Sequence, residues 1–223
     1  MEHHLTVPRT ARYQQLGEFS AATRQLWIVA HGYGQLAEYF IRHFELLLAA
    51  DPIGTVIVAP EGLSRFYLRG TSGRVGASWM TRADRLTEIA DQTTYLTQLL
   101  HQLLRQCPPA TRVVVLGFSQ GTATVSRWLA GHPEGYRPHQ LVLWAGSFPE
   151  DIELGAARLL HELPVALVCG ERDHYVSAAQ VTEQAAALRQ QGASVTTLTF
   201  DGGHTLNAAV LMQLHAGVTL PAL

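Results

Sequence analysis

The stretch Gly117-Phe118-Ser119-Gln120-Gly121, with Val113–Leu116 directly before it, decides the fold of this chain. The preceding run is apolar and mostly β-branched, which is typical of a buried strand, and the residues after Gly121 have helical periodicity. A serine between a strand and a helix, with glycine two positions away on each side, is the pattern of a nucleophile elbow. The glycines let the two backbones approach closely. Ser119 is therefore the predicted nucleophile.

Short apolar runs recur on both sides of this motif. Several are continuous rather than alternating, which is typical of strands covered on both faces. Longer segments of helical period separate them, so the pattern predicts an α/β fold with a mostly parallel central sheet and helices on both faces. The expected strands are Gln25–Ala30, Thr55–Ala59, Arg112–Phe118, Leu141–Ala145, Val165–Cys169 and Val195–Phe200, with Arg12–Gly17 as a weaker edge strand.

Four helices are expected between and after the strands. The longest has apolar residues at steps of three and four from Leu86 to Leu104, and Thr81 with Asp84 is its predicted capping box. A second helix is expected over Ser177–Gln191, with Ser177 as its N-cap and Gly192 as its stop. The remaining two are expected at Gln120–Ala130 and Leu206–Leu214.

Composition narrows the classes of function. The chain has 223 residues, of which 47% are hydrophobic and 15% charged, and its formal net charge is −2. These values fit one globular domain over residues 1–223 and do not indicate a nucleic-acid surface or a basic membrane patch. No apolar stretch reaches the ~18 residues that cross a bilayer, and the N-terminus lacks signal-peptide features. We therefore expect a cytoplasmic protein without stable membrane insertion.

Two side chains that follow later strands are candidates for completing the chemistry of Ser119. Asp173 comes after Val165–Cys169 and His204 after Val195–Phe200. Both are therefore expected at the carboxyl edge of the sheet, the edge where the parallel strands have their C-terminal ends. The order serine, acid, histidine is that of hydrolases with a nucleophile elbow. In this interpretation His204 is the general base and Asp173 orients its imidazole.

Other acids and another base compete for these two roles. Glu171 and Asp201 are alternative acids, although Asp201 lies only three residues from His204 and is better suited to shaping that turn. His174 is an alternative base, but beside Asp173 it cannot easily reach both that carboxylate and the serine.

A glycine-rich turn, His31-Gly32-Tyr33-Gly34, follows the first long strand. The backbone N–H groups of Tyr33 and Gln120 are the expected donors of an oxyanion hole. The turn lacks the third glycine of a dinucleotide-binding fingerprint, and the chain has no phosphate-binding loop motif. No nucleotide or other cofactor is expected.

The segment Glu61–Arg82 is predicted to be an irregular loop near the site. It contains four glycines and three aromatic residues, and long loops in compact domains are often functional. Aromatic side chains around this edge of the sheet are candidates for binding an acyl chain, although packing within the protein is their commoner role. The candidate substrate-binding residues are Phe66, Tyr67, Trp79 and Phe148.

Histidine and cysteine usage does not indicate a metal site or a disulfide framework. The eleven histidines show no paired ligand spacing apart from the terminal His3-His4, and the two cysteines form no Cys-x-x-Cys pair. Cys169 lies in an apolar run and is expected to be a buried free thiol.

With these motifs in place, the chain resembles the phospholipase/carboxylesterase family of the α/β-hydrolase fold. The matching pieces are His31–Gly34, Ala59–Gly62, Gly117–Gly121, Gly170–Val176 and Gly202–His204, and they span nearly the whole chain. The resemblance implies a triad of Ser119, Asp173 and His204, an oxyanion hole at Tyr33 and Gln120, no cofactor and no large lid domain.

The resemblance also implies cleavage of small-molecule carboxylic esters through an acyl-enzyme. Thioesters and lysophospholipids remain open as further substrates. A homodimer also remains open. Two alternatives remain: a hydrolase-shaped protein that binds a ligand without turnover, and an acyltransferase that uses the same triad.

Overall fold

The computed structural model describes residues 1, 3–131, 136–152 and 158–217. A seven-stranded sheet forms its centre, with strands β1 (Tyr13–Leu16), β2 (Gln25–Ala30), β3 (Thr55–Pro60), β6 (Arg112–Phe118), β7 (Gln140–Trp144), β8 (Pro164–Gly170) and β9 (Ser194–Phe200). The strands lie in the order β1-β3-β2-β6-β7-β8-β9. Strand β1 pairs antiparallel with β3, and all other neighbours in this sheet are parallel, which confirms the mostly parallel sheet and its weaker edge strand.

Helices cover both faces of this sheet. Alternate residues of each strand point to opposite faces, so Leu26 and Ile28 of β2 belong to one apolar cluster, and Trp27 and Val29 to the other. The first cluster packs against α3 (Arg85–Leu104), α4 (Gln120–Ala130) and α5 (Ala178–Gln190). The second packs against α1 (Ala37–Phe40), a 3-10 turn (Ile41–Phe44), α2 (Glu45–Ala50) and α6 (Ala208–His215).

The two predicted helix starts have different outcomes. Ser177 caps α5 as expected, because its side chain accepts the N–H of Gln180 and the Gln180 side chain accepts the N–H of Ser177. The predicted capping box of α3 is wrong. Asp84 precedes that helix in a left-handed conformation and makes no capping bond, and Thr81 instead donates its N–H to Glu88 at 2.6 Å.

The segment expected to be an irregular loop is a β-hairpin. Strands β4 (Ser64–Tyr67) and β5 (Val75–Ser78) pair antiparallel, apart from the main sheet. The hairpin is attached to the turn after β2, because the N–H of Gly34 donates to Ala77 and the N–H of Ala77 donates to Gln35. The prediction of a loop was wrong because the hairpin is held by residues outside it, among them Gly34 and Gln35 in the turn after β2.

Parallel pairing brings the functional segments to one edge of the sheet. Ala30 lies beside Gly117, Phe118 beside Trp144, and Gly170 beside Phe200. The segments after these residues therefore meet at the carboxyl edge, the usual place for a site in an open α/β sheet.

Candidate active site

Ser119 occupies a strained turn between β6 and α4. Its φ and ψ angles are 53° and −117°, values that residues other than glycine rarely adopt. A Cβ on Gly117 would collide with the backbone of Gly121, and one on Gly121 would collide with the carbonyl oxygen of Ala30. The two glycines are therefore required for strand and helix to pack this closely around the serine.

The backbone of Ser119 is held from two sides. Its N–H donates to the carbonyl of Trp144 at 2.8 Å, and its own carbonyl accepts the hydroxyl of Thr122 at 2.7 Å. The same hydroxyl lies 3.2 Å from the carbonyl of Ser147, beyond β7. These bonds to neighbouring elements hold the turn in its unfavourable conformation.

His204 forms a hydrogen bond with a fully buried carboxylate. Its Nδ1 lies 2.8 Å from Oδ2 of Asp173, whose side chain has no exposed area. The other oxygen, Oδ1, accepts the N–H groups of Tyr175 at 2.8 Å and Val176 at 3.2 Å. With Oδ2 accepting, Nδ1 carries the proton and Nε2 of a neutral His204 is left as the basic atom.

The alternative acids and base are placed differently. The carboxylate of Asp201 forms an ion pair with Arg172, and Glu171 and His174 are exposed to solvent. Among these candidates, only Asp173 and His204 are joined by a hydrogen bond.

Two aromatic rings flank the imidazole of His204. The ring of Phe118 lies 5.0 Å from it and that of Tyr175 lies 4.7 Å from it, measured between centroids. Because Phe118 directly precedes Ser119, this contact brings His204 beside the elbow. Tyr175 is 77% exposed and was not among the residues predicted for the site. Its only signal in the sequence is its position two residues after Asp173.

The turn after β2 lies directly against the elbow. A Cβ on Gly32 would lie 3.2 Å from Cβ of Ser119 and 3.1 Å from the ring of Phe118. The N–H of Gly32 donates to the side-chain oxygen of Gln35 at 2.8 Å. Tyr33 follows Gly32 in this turn, so its peptide group is adjacent to the serine.

His31 is a buried residue that orients this turn. Its Nδ1 bonds the carbonyl oxygen of Gly32 at 2.7 Å, and its Nε2 accepts the N–H of Gly62 at 3.0 Å. Burial lowers the pKa of His31 from 6.5 to about 4, so the ring is neutral near pH 7 and its proton lies on Nδ1. In a trans peptide the C=O and N–H point in opposite directions, so holding the Gly32 carbonyl also fixes the direction of the Tyr33 N–H.

The side chain of Gln120 connects α4 to the end of the hairpin. Its Oε1 accepts the N–H of Trp79 at 3.0 Å, and its Nε2 donates to the carbonyl of Met80 at 2.8 Å. The backbone N–H of Gln120 lies in the first turn of α4, where N–H groups have no partner within the helix. Gln120 therefore offers its backbone N–H at the elbow while its side chain holds the hairpin.

A family model described as phospholipase/carboxylesterase matches residues 18–218. The chain belongs to this family. The match covers the elbow, the turn after β2, Asp173 and His204, and the resemblance seen in the sequence is confirmed. The chain is accordingly an enzyme of the esterase type with an α/β-hydrolase fold.

Solved structures show the same fold at low sequence identity. Esterase PE8 is 23% identical over 94% of this chain and 98% of its own, with a TM-score of 0.72. A carboxylesterase from Mesorhizobium loti is 19% identical over 93% and 95%, with a TM-score of 0.69. Acyl-protein thioesterase 2 from Zea mays is 15% identical over 93% and 97%, with a TM-score of 0.64. None of the curated protein sequences compared is similar enough to count as a relative.

The four aromatic residues predicted to bind substrate lie in different environments. Phe66 is half-buried, with its ring 5.2 Å from that of Tyr33, whereas its neighbour Tyr67 is exposed. Phe148 is half-buried and packs against the first apolar cluster. Trp79 was expected to contact substrate, but this residue is only 1% exposed and offers no surface for such a contact.

Trp79 instead supports the turn after β2. Its indole N–H donates to the carbonyl of His31 at 2.8 Å, and its ring stacks on the His31 imidazole at 4.9 Å between centroids. The sequence placed Trp79 near the site, but the hairpin turns its ring inward to the core.

A second buried group fixes the base of the hairpin. The carboxylate of Glu61 is 2% exposed and accepts two bonds from Arg12 of the N-terminal segment, at 2.5 and 3.1 Å. It also accepts the N–H of Ala37 at the start of α1 and lies 3.7 Å from Arg65 of the hairpin. Its charge is therefore compensated from three separate segments.

The described residues contain no group of three side chains placed to hold a metal ion. Neither cysteine of the described part of the chain is in a disulfide, and Cys169 is buried as expected. In the same described ranges, no helix combines the length and apolar character needed to cross a membrane.

Proposed function

We propose that this enzyme hydrolyses carboxylic esters with Ser119 as nucleophile, His204 as general base and Asp173 as the carboxylate that orients the base. The observation that carries the proposal is the bond from His204 Nδ1 to the buried Asp173, at the same sheet edge as the strained Ser119. A serine, a base and an oriented acid are the parts that nucleophilic acyl transfer requires.

In the proposed first step, Oγ of Ser119 attacks the acyl carbon while Nε2 of His204 takes the hydroxyl proton. The tetrahedral intermediate then expels the alcohol, which leaves with the proton from His204, and the acyl group stays on the serine. In the second step water gives its proton to His204 and attacks the acyl-enzyme. The second tetrahedral intermediate then collapses, which releases the carboxylic acid, and His204 returns the proton to Ser119.

Two backbone N–H groups are proposed to stabilise the negative oxygen of each intermediate. One belongs to Gln120, at the N-terminus of α4, where the helix dipole also favours negative charge. The other belongs to Tyr33, in the peptide whose carbonyl is held by His31. Donors that are oriented before the reaction stabilise developing charge without a cost of reorganisation.

Asp173 is proposed to act through its charge as well as its geometry. The carboxylate holds the proton of His204 on Nδ1 and stabilises the imidazolium that forms when Nε2 accepts a proton. Its own position is fixed by the N–H groups of Tyr175 and Val176. The base is thus kept in the tautomer that the reaction needs.

The acyl group of the substrate is proposed to contact Phe66. Its ring packs beside Tyr33, whose peptide adjoins Ser119 through Gly32. Replacing Phe66 with alanine should therefore shift the preference among C2 to C12 esters. The control is Tyr39→Ala, which removes an exposed ring on α1 that stacks on Arg42 instead.

The proposal is tested by turnover of p-nitrophenyl esters and matching thioesters of C2 to C12 acyl chains. Ser119→Ala should lower kcat by several orders of magnitude, because the residual rate then comes from binding and the oxyanion donors alone. A fluorophosphonate should label the wild-type protein once and leave Ser119→Ala unlabelled. Undiminished turnover by Ser119→Ala would refute the proposal.

A further inference from the structure

A cavity of about 230 Å³ lies at the edge of the sheet opposite Ser119. It is formed where strands begin rather than where they end, since Arg112 is the first residue of β6, Gln140 of β7 and Pro164 of β8. Thr196 and Leu198 of β9 and Leu214 of α6 complete most of its wall. Nothing in the proposed ester hydrolysis uses this cavity.

Arg112 lines the cavity, and no aspartate or glutamate of the described residues pairs with its guanidinium. Its two terminal nitrogens donate to the side-chain oxygens of Gln25 at 3.3 Å and Gln140 at 2.5 Å, both of them neutral amides. Among the described ion pairs of the chain, none includes Arg112. Partial burial accordingly lowers the pKa of Arg112, because the cation loses water and gains no countercharge.

The two glutamines hold the guanidinium in one place before any ligand binds. They belong to the strands on either side of β6, so the arginine lies between them at the sheet edge. A guanidinium carries five N–H donors, and the two bonds leave others for a ligand. Preorganisation of this kind lowers the entropic cost of binding.

Most of the remaining lining residues are apolar. Pro164, Ala166, Leu198 and Leu214 supply the apolar surface. Nδ1 of His139 accepts the N–H of Val113 at 3.0 Å, so a neutral ring has its proton on Nε2. No aspartate or glutamate is among the described lining residues. The surface is therefore complementary to a molecule with an anionic head and a short apolar tail.

We propose that this cavity binds a small aliphatic monocarboxylate, with its carboxylate on Arg112 and its chain against Leu198 and Leu214. Planar bidentate contact with a carboxylate is the geometry that a guanidinium favours. The cavity is smaller than the ~300 Å³ at which sites for drug-sized ligands begin, so a short chain fits the available volume.

The test compares hexanoate, 1-hexanol and hexylamine, which share one tail and differ in the head group, by titration of isotope-labelled protein in amide NMR. Hexanoate should shift the amides of Arg112, Gln140 and Thr196 and bind at least tenfold more tightly than the other two. Arg112→Met and Thr196→Phe, which remove the cation and fill the space, should each weaken hexanoate at least tenfold. Arg105→Met, at an exposed site after α3, is the matched control and should bind like wild type.

The location of the shifts separates this site from the active site, since hexanoate is also a product of the proposed reaction. Shifts confined to Ser119, Gln120 and His204 would overturn the new site and leave the esterase proposal standing. Equal affinity for hexanol would also overturn it, as would unchanged binding in a folded Arg112→Met or Thr196→Phe protein. A failure of ester hydrolysis would leave the proposal of a carboxylate site at Arg112 unaffected.

Discussion

The imidazole of His31 bonds the carbonyl oxygen of Gly32 at 2.7 Å, within the turn that carries the Tyr33 N–H. The bond joins neighbouring residues, yet it sets the direction of a peptide that faces the elbow. His31 is itself held by the N–H of Gly62 and by stacking on Trp79. A buried side chain thus orients the backbone N–H that is proposed to bind the oxyanion.

Replacing His31 with phenylalanine should therefore impair catalysis while keeping a ring against Trp79. We expect kcat to fall by about 10²–10³, the usual effect of losing one oxyanion donor, with a smaller change in KM. Steady-state kinetics on one p-nitrophenyl ester measures both constants. His161→Phe, at an exposed position, is the control. An unchanged kcat in the folded His31→Phe protein would show that the turn keeps its orientation without the imidazole.

The same residue should make stability depend on pH. The unfolded chain binds a proton at His31 below pH 6.5, whereas the folded protein does so only below about pH 4. The free energy of unfolding should therefore fall as pH drops from about 6.5 to about 4, by about 3 kcal/mol from this group. Urea unfolding between pH 7.5 and 4 measures it. In His31→Phe this part of the pH dependence should be missing, and in His161→Phe it should persist.

The Gln120 side chain should matter for the hairpin more than for the elbow. Gln120→Ala leaves the backbone N–H in place but removes the acceptor of the buried Trp79 N–H and the donor to Met80. We expect a loss of about 1–3 kcal/mol in the free energy of unfolding and faster hydrogen exchange at the Trp79 amide. Gln191→Ala, exposed after α5, should change neither quantity. Unaltered exchange at Trp79 would show that the Gln120 side chain does not hold the hairpin.

Close backbone packing predicts that Gly121 cannot be replaced even by alanine. A Cβ there would collide with the carbonyl oxygen of Ala30, which belongs to the neighbouring strand. We expect a loss of about 3 kcal/mol, the upper end for overpacking, together with reduced kcat because the elbow must shift. Thermal unfolding and kinetics test this. Gly70→Asn is the control, because Gly70 has open space around it and a left-handed φ that asparagine tolerates.

The features that were predictable from the sequence depend on local patterns. Val113–Leu116 followed by Gly117–Gly121 determines a strand, a turn and a helix from neighbouring residues, and Ser177 with Gln180 forms a cap over three positions. Asp173 and His204 were placed at one edge because parallel strands must end together. These inferences needed only chain order and periodicity.

What could not be predicted depends on contacts between distant parts of the chain. The hairpin forms against Gln35, Gln120 and Glu88, none of which lies within it. The inward position of Trp79 follows from that packing. The stacking of Tyr175 on His204 joins loops after two different strands. No periodic pattern in the sequence predicts such contacts.

The tip of the hairpin has a consequence for where the sequence of this enzyme can change. Apart from their chain neighbours, Gly70 and Gly73 have no described atom within 4 Å of where a Cβ would lie. The base of the hairpin, in contrast, is held by Glu61 and Gln120. We therefore expect insertions and replacements at the tip to leave the position of Ser119 unchanged. Divergent evolution, and a laboratory library aimed at residues 69–74, can vary this part of the enzyme while Ser119, Asp173 and His204 are inherited unchanged.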